Sequence, residues 1–310
     1  MALLEVKNLK VHFPIRRGIL SRIKGYVRAV DDVTLAINPG ETVGLIGESG
    51  SGKSTIGKAI IGLAPLTSGT IIFNGVDITR YVGRNFTSYR KEVQMIFQDS
   101  ASSLNPRKRV IDILSEPIKN FEKLSKLELR KRVDELLSIV GMPPQAAMKY
   151  PFEFSGGQRQ RVGVARAIAL KPKLIIADEP VSALDLSVQA QVLNYLKEIQ
   201  EQLGLAYLFI SHDLGVVKHM CETLAIMHNA RFVEYGNRDD IYNDPRHIYT
   251  RRLVTAIPDV DPDKREINAL KRAELGEEYE REYSRFYGEG GKVYDLKMIT
   301  GTHYVATSED

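Results

Sequence analysis

Nine residues, GESGSGKST (Gly47–Thr55), fit the pattern G-x-x-x-x-G-K-[ST]. Gly47, Gly50 and Gly52 let the loop's N–H groups converge on phosphate oxygens, and a helix opening at Gly52 adds its positive end. Lys53 then reaches the β- and γ-phosphates of a nucleotide, and Ser54 ligates Mg2+. Glu48, Ser49, Ser51 and Thr55 complete the same cradle. Such a loop needs an acid on a neighbouring strand to hold the metal. LIIADEP (174–180) supplies it: Asp178 ends an apolar run, and Glu179 follows at once. Successive residues at a strand's end diverge, so Asp178 is free to face Mg2+ while Glu179 faces an attacking water. His212 after AYLFI and Gln98 after VQMIF stand at strand ends likewise. The Gln98 amide, uncharged, suits a metal ligand or water holder that swings away.

A second anion-facing segment is FSGGQRQR (154–161), which carries no lysine. Its Ser155, Gly156 and Gly157, followed by Gln158, open a helix whose N–H groups and dipole face outward. It cannot easily wrap the phosphate that Gly47–Thr55 already surrounds. The economical arrangement places its anion on a second copy of the fold. Two subunits packed head to tail would bury two nucleotides, each gripped by one subunit's lysine loop and the other's serine–glycine tip.

These groups need strands and helices to hold them. LLEVKNL (3–9), VTLAI (33–37), TVGLIG (42–47), GTIIFNG (69–75) and VQMIF (93–97) read as strands, as do the buried-type runs LIIA (174–177) and AYLFI (206–210). Val133, Leu136, Leu137 and Val140 fall on one helical face, as do Val188, Val192, Leu196, Ile199 and Leu203. Strand and helix patterns alternate, which indicates an α/β domain with a largely parallel sheet; 98–150 reads as a helical insertion on it. The basic stretch 13–28, punctuated by Pro14, Gly18 and Gly25, reads as a solvated connecting loop. Beyond Pro258 the composition turns highly charged with tyrosines as the main apolar mass, marking a C-terminal appendage, helical at first.

Composition narrows the class. With 310 residues, 43% hydrophobic and 26% charged, the chain suits a soluble protein of one large domain plus an appendage, or two domains. No apolar run approaches the ~18–20 residues of a membrane span, and MALLEVKNLK lacks a secretory signal's apolar stretch. The single cysteine, Cys221, excludes an internal disulfide framework and fits a reducing compartment. A net charge of +4, spread among acids, gives no reason to expect nucleic acid.

The set GESGSGKST, Gln98, FSGGQ, LIIADEP, SALD (182–185) and ISHD (210–213) resembles the ATP-binding cassette family in order and spacing, over about 1–240. That resemblance implies a P-loop NTPase (RecA-like) α/β core with an antiparallel β subdomain and an α-helical signature subdomain at about 98–165. Together these make a nucleotide-binding domain at 1–258, with a small extension at 259–310. It also implies roles. Ser54, Gln98 and Asp178 ligate Mg2+, Glu179 is the general base, and His212 senses the γ-phosphate. Asp185 links the two nucleotide sites, and Ser155, Gly156, Gly157 and Gln158 contact the partner's ATP. An aromatic at the first strand's end stacks on adenine, with Phe13 ahead of Tyr26. Phe154 stands where leucine is commonest.

Three further stretches, RRGILSRIKGYVRAVDDVTL, QDSASSLNPRKRVIDILSEP and HIYTRRLVTAIPDVDP, look like those of the dipeptide/oligopeptide (nickel) importer subfamily, nearest its F-type subunit. The resemblance implies a D-type ATPase as heterodimer partner, two membrane permease subunits, an extracellular substrate-binding protein, and a peripheral place on the cytoplasmic face of the membrane. The segment after Gln98 would receive a permease helix, with Ser100 replacing a common proline. Some members hold an iron–sulfur cluster through C-terminal cysteines; Thr307 stands where one could sit, so no cluster is expected. Peptides are the expected cargo, with β-linked oligosaccharides or nickel as alternatives. A non-transport cassette ATPase of DNA repair or translation fits less well. Repair ATPases split the cassette with a coiled coil, whereas 56 residues lie between Gln98 and Ser155 here.

Overall fold

The computed structural model describes residues 1–18, 21–80, 83–98, 103–182, 184–257 and 265–309. In chain order the strands are β1 (Leu4–Arg17), β2 (Arg22–Ile37), β3 (Thr42–Ile46), β4 (Ser68–Phe73), β5 (Val76–Asp77) and β6 (Val93–Ile96). They continue with β7 (Leu174–Asp178), β8 (Ala206–Ser211), β9 (Thr223–His228), β10 (Arg231–Asn237), β11 (Leu296–Thr300) and β12 (His303–Ala306). The first helices are α1 (Lys53–Ile60), α2 (Gly83–Glu92), α3 (Val110–Phe121), α4 (Lys126–Ile139) and α5 (Gly156–Ile168). After them come α6 (Leu186–Leu203), α7 (Leu214–Val217), α8 (Arg238–Asn243), α9 (Ile248–Thr255) and α10 (Arg265–Phe286).

Contacts divide the chain into two units. The first holds residues 1–37, 42–79 and 209–310; the second holds 38–41 and 80–208. The division between 258 and 259 expected from composition falls outside the described residues, as do Ser100 and Ala183 of the SALD stretch.

In the first unit, β2, β1, β4 and β5 form an antiparallel sheet in that order, and β11, β12, β10, β9 and β3 lie side by side. β3 runs parallel to β9 (Val43 opposite Thr223, Ile46 opposite Ile226), and every residue of β3 is buried. A strand buried on both faces needs no polar alternation, which is why TVGLI is apolar throughout.

The stretch 13–28 is not a loop. β1 and β2 extend through it as an antiparallel ribbon, with Phe13 opposite Val27, Pro14 opposite Tyr26 and Arg16 opposite Ile23. Its backbone groups pair while its side chains stay in solvent: Ile15, Ile23, Tyr26 and Val27 are all exposed. Charge and glycine content reported the solvent and concealed the pairing.

In the second unit β6 runs parallel to β7 (Val93 opposite Leu174, Ile96 opposite Ala177), with the start of β8 next to β7. β7 and β8 are wholly buried. α4 opens on a capping box, Ser125 Oγ accepting from the Glu128 N–H while Glu128 accepts from Ser125 N–H. It buries Val133, Leu136 and Leu137 on one face. On α6, Val192, Leu196 and Ile199 are buried, whereas Leu203 at the end is exposed. Gly204 ends that helix at φ 63°, the left-handed position that glycine fills without strain.

The C-terminal appendage begins as the helix its charge pattern suggests, α10, and then turns back as β11 and β12. β12 pairs with β10, Val305 opposite Glu234 and Tyr304 opposite Tyr235, so the tail enlarges the sheet that carries β3.

Candidate functional site

The loop Gly47–Gly52 leaves β3 and enters α1, whose N-cap is Gly52 at φ 112°. A Cβ at Gly52 would lie 2.0 Å from the Ala29 carbonyl oxygen, and one at Gly47 would lie 2.1 Å from that of Met227. No other residue fits either place, so the loop's curl is imposed from both sides. The backbone makes a cradle that side chains would fill, and this is the fit expected of a phosphate site. Lys53 is almost fully buried. Its ammonium donates to Gly47 O at 2.7 Å and Glu48 O at 2.8 Å, with Ser51 Oγ at 3.5 Å. The charge is held inside the ring of the loop, where a polyanion would meet it.

On β7, Asp178 is buried at the strand's last position. Glu179 follows with φ 46°, a left-handed conformation that a non-glycine residue adopts at a cost of roughly 1–3 kcal/mol. Gln98, two residues past β6, donates from Nε2 to Glu179 Oε2 at 2.7 Å. The sequence placed Gln98 and Glu179 at separate strand ends; the structure brings them into one hydrogen bond. His212 is exposed, directly after β8.

Ser155 caps α5. Its Oγ accepts from the Gln158 N–H at 3.3 Å, and Gln158 Oε1 accepts from the Ser155 N–H at 3.1 Å, a closed capping box. Buried Phe154 anchors the segment while Ser155 and Gln158 remain exposed. Gly157 has a packing reason to lack a side chain: a Cβ there would sit 2.6 Å from Val188 Cγ1 on α6. A cavity of about 370 Å3 adjoins this tip, lined among others by Met142, Phe154, Gly157, Gln158, Arg161 and Gln191. Asp185 is the exposed N-cap of α6, making no side-chain cap bond.

Phe13 and Tyr26 lie on opposite faces of the β1–β2 ribbon, because directly opposed residues share a face and neighbours alternate. Phe13 is 38% exposed and Tyr26 57%. One flat ring therefore cannot stack on both from the same side.

Sequence reasoning passed over Tyr249. Its hydroxyl accepts the Glu48 N–H at 3.0 Å, so it touches the phosphate loop directly from α9. Its ring stacks on His228 at 4.2 Å between centroids. The only signal was the stretch HIYT, where one tyrosine among 14 has no distinguishing pattern.

Cys221 is buried, and burial pushes its thiol pKa well up. Among the described residues no group of three or more His, Cys, Asp and Glu could hold a metal ion. No described helix is long and apolar enough to cross a membrane.

Comparison with known proteins agrees with this geometry. The ABC transporter family matches residues 30–182, and the C-terminal region of oligopeptide/dipeptide transporters matches residues 233–288. The chain is 56% identical over 304 residues to the oligopeptide transport ATP-binding protein OppF of Lactococcus lactis subsp. lactis (strain IL1403). That match covers 98% of this chain and 95% of the relative. It is 47% identical over 264 residues to OppF of Escherichia coli (strain K12), covering 84% and 79%. Among solved structures it is similar to the dimeric ATP-binding cassette MJ0796, in a post-hydrolysis state bound to ADP and Pi. There the TM-score is 0.67 at 27% identity, over 76% of this chain and 98% of that one. It is also similar to cbiO1 from Clostridium perfringens, part of the cbiONQ complex (TM-score 0.69, 26% identity, 87% and 98% covered). The cradle, the paired acids and these matches converge: the chain belongs to the ABC transporter family and is an ATP-binding, ATP-hydrolysing subunit of the peptide-importer type.

Proposed function

We propose that the chain binds Mg·ATP through Gly47–Thr55 and, with a second ATPase subunit, drives peptide uptake through two separate membrane permeases. The observation that carries the reading is the pre-curled loop around buried Lys53. Two of the loop's own backbone carbonyls hold the ammonium within the curl. Ser54, Gln98 and Asp178 would hold Mg2+, whose charge offsets that of the phosphates and favours displacement at phosphorus. Glu179 takes a proton from the attacking water. Its hydrogen bond to Gln98 holds the carboxylate in place meanwhile. His212 contacts the terminal phosphate, and Phe13 stacks on adenine from its half-exposed position.

Ser155, Gly156, Gly157 and Gln158 contact the nucleotide of the partner subunit, and Asp185 links the two sites. Support comes from the exposure of this tip and from the dimeric form of a similar cassette. The partner is a D-type relative, substrate arrives on an extracellular binding protein, and the chain works at the cytoplasmic face of the membrane. The names of the relatives favour oligopeptides as cargo. Nickel or β-linked oligosaccharides would use the same ATPase, since no residue named here touches cargo. Cys221 is the single cysteine of the chain and is buried, which supports a chain without an iron–sulfur cluster.

The test has two arms. Lys53→Ala should weaken ATP binding at least tenfold, given the worth of charge-assisted phosphate contacts; unchanged affinity would remove the loop from its role. Purified from its host, the chain should bring two multi-span permeases and a second cassette subunit with it. Recovery with DNA or ribosomes instead would favour the non-transport reading.

A further inference from the structure

The phosphate loop is tied to the far end of the chain by an unbroken series of hydrogen bonds. The Glu48 N–H lies inside the loop and is accepted by the Tyr249 hydroxyl at 3.0 Å. Tyr249 is buried, and burial pushes its hydroxyl pKa up to about 12, so it stays a neutral group with a lone pair to offer. Two supports fix that hydroxyl. The first is the ring: it stacks on His228, whose Nδ1 is 2.8 Å from the Tyr287 hydroxyl at the end of the appendage helix.

The second support runs through the helix start. His247 caps α9, its Nδ1 accepting the Tyr249 N–H at 3.1 Å. Burial holds the His247 pKa down to about 3, so the ring is neutral and keeps Nδ1 as an acceptor. The turn before it is gripped by Glu234, a carboxylate with no exposed surface. Glu234 accepts from the Arg246 N–H at 2.8 Å and the His247 N–H at 3.0 Å. The remaining contact is His303 Nε2, at 2.7 Å from Glu234 Oε1, and His303 belongs to β12, the last strand. Each oxygen of this buried carboxylate thus accepts one backbone N–H of the turn, and His303 braces Oε1 from the opposite side with a second contact, so β12 helps to keep the turn in place.

We propose that Tyr249 is a positioning residue for the phosphate loop, and that the C-terminal appendage holds it there through His303 and Tyr287. Tyr249 touches no reacting atom. It satisfies a loop donor that would otherwise turn toward solvent, and so keeps the neighbouring amides aimed at phosphate. The inference rests on the reading that Gly47–Thr55 binds the nucleotide.

The experiment measures ATP Kd by titration and the thermal midpoint without nucleotide on the purified chain, and kcat and KM for ATP on the complex copurified with its partner subunits. Tyr249→Phe keeps the ring and its stacking while losing the acceptor. It should raise Kd and KM about five- to tenfold with kcat within twofold, the low end for an unsatisfied amide because Glu48 lies at the surface. His303→Leu should shift Kd in the same direction, and His303→Gln, which can still donate to Glu234, should restore it. A lowered thermal midpoint with unchanged Kd in both Tyr249→Phe and His303→Leu would reduce the network to a structural role and overturn the proposal. If Tyr249→Phe does not fold, the His303 pair decides by the same reading. Normal ATP affinity in Lys53→Ala would instead sink the reading beneath it, whatever the tyrosine does.

Discussion

At the start of α1 the N-cap is Gly52, which has no side chain to offer the helix, and Lys53 is drawn back onto the loop's own carbonyls. At the start of α5 Ser155 and Gln158 close a capping box across the helix end. Both are glycine-flanked helix N-termini suited to an anion, yet they are prepared differently. The first holds Lys53 buried and is walled by Ala29 and Met227, so its shape exists before any ligand arrives. The second is exposed, and its hydroxyl is already engaged with its own backbone. The Ser155 oxygen is the acceptor in that bond, so its O–H can still donate to an anion. The contrast fits the proposed division of labour, in which one site binds nucleotide on its own and the other engages only when a partner presents it.

The largest effect that probes this contrast is expected at Glu179, the proposed general base. Glu179→Gln should leave ATP binding intact and cut hydrolysis by about 10²–10⁴, trapping an ATP-bound dimer detectable by size-exclusion chromatography. Near-normal turnover would remove Glu179 from its role. Next comes Ser155→Arg, which should abolish hydrolysis at the partner's loop in a mixed dimer while ATP still binds this chain's own loop. Loss of binding to its own loop would erase the distinction between the sites.

Gly157→Ala comes third. Its Cβ would press on Val188 at 2.6 Å, an overpacking that should destabilise the chain by about 1–3 kcal/mol in urea unfolding. An undiminished midpoint would mean that the tip is loosely packed. The smallest effect concerns pH. Glu234 is the first cause that raises the pKa of His303, with Asp240 and Asp244 adding to it. The raised value means that this pair's contribution is fully present below the pKa of an unfolded histidine, near 6.5. It is lost as pH rises through the folded value. Thermal midpoints of wild type and His303→Gln should therefore converge on going from acidic to alkaline buffer; a constant gap would show that His303 acts without its charge.

Much of this was readable in the chain. The loop GESGSGKST, the acids after LIIA and the serine–glycine tip are local patterns, because a helix N-terminus and a strand end need only a few consecutive residues to form. The helical faces of α4 and α6 were likewise periodic. The ribbon 13–28 was not legible, since its pairing is between backbones and its exposed side chains carry no alternation. Nor was the return of the tail as β12, four residues beside a strand some seventy positions earlier. The Gln98–Glu179 bond and the Tyr249–Glu48 bond join residues 81 and 201 positions apart.

Sequence by itself determined which groups could hold phosphate and metal and take up a proton, because residue type and short spacing set that chemistry. Tertiary structure alone decided which glycine is walled in, which carboxylate turns left-handed, and which tyrosine supports the loop. Those outcomes depend on distances between segments that no local pattern encodes, and on buried polar groups that must find partners wherever the fold supplies them.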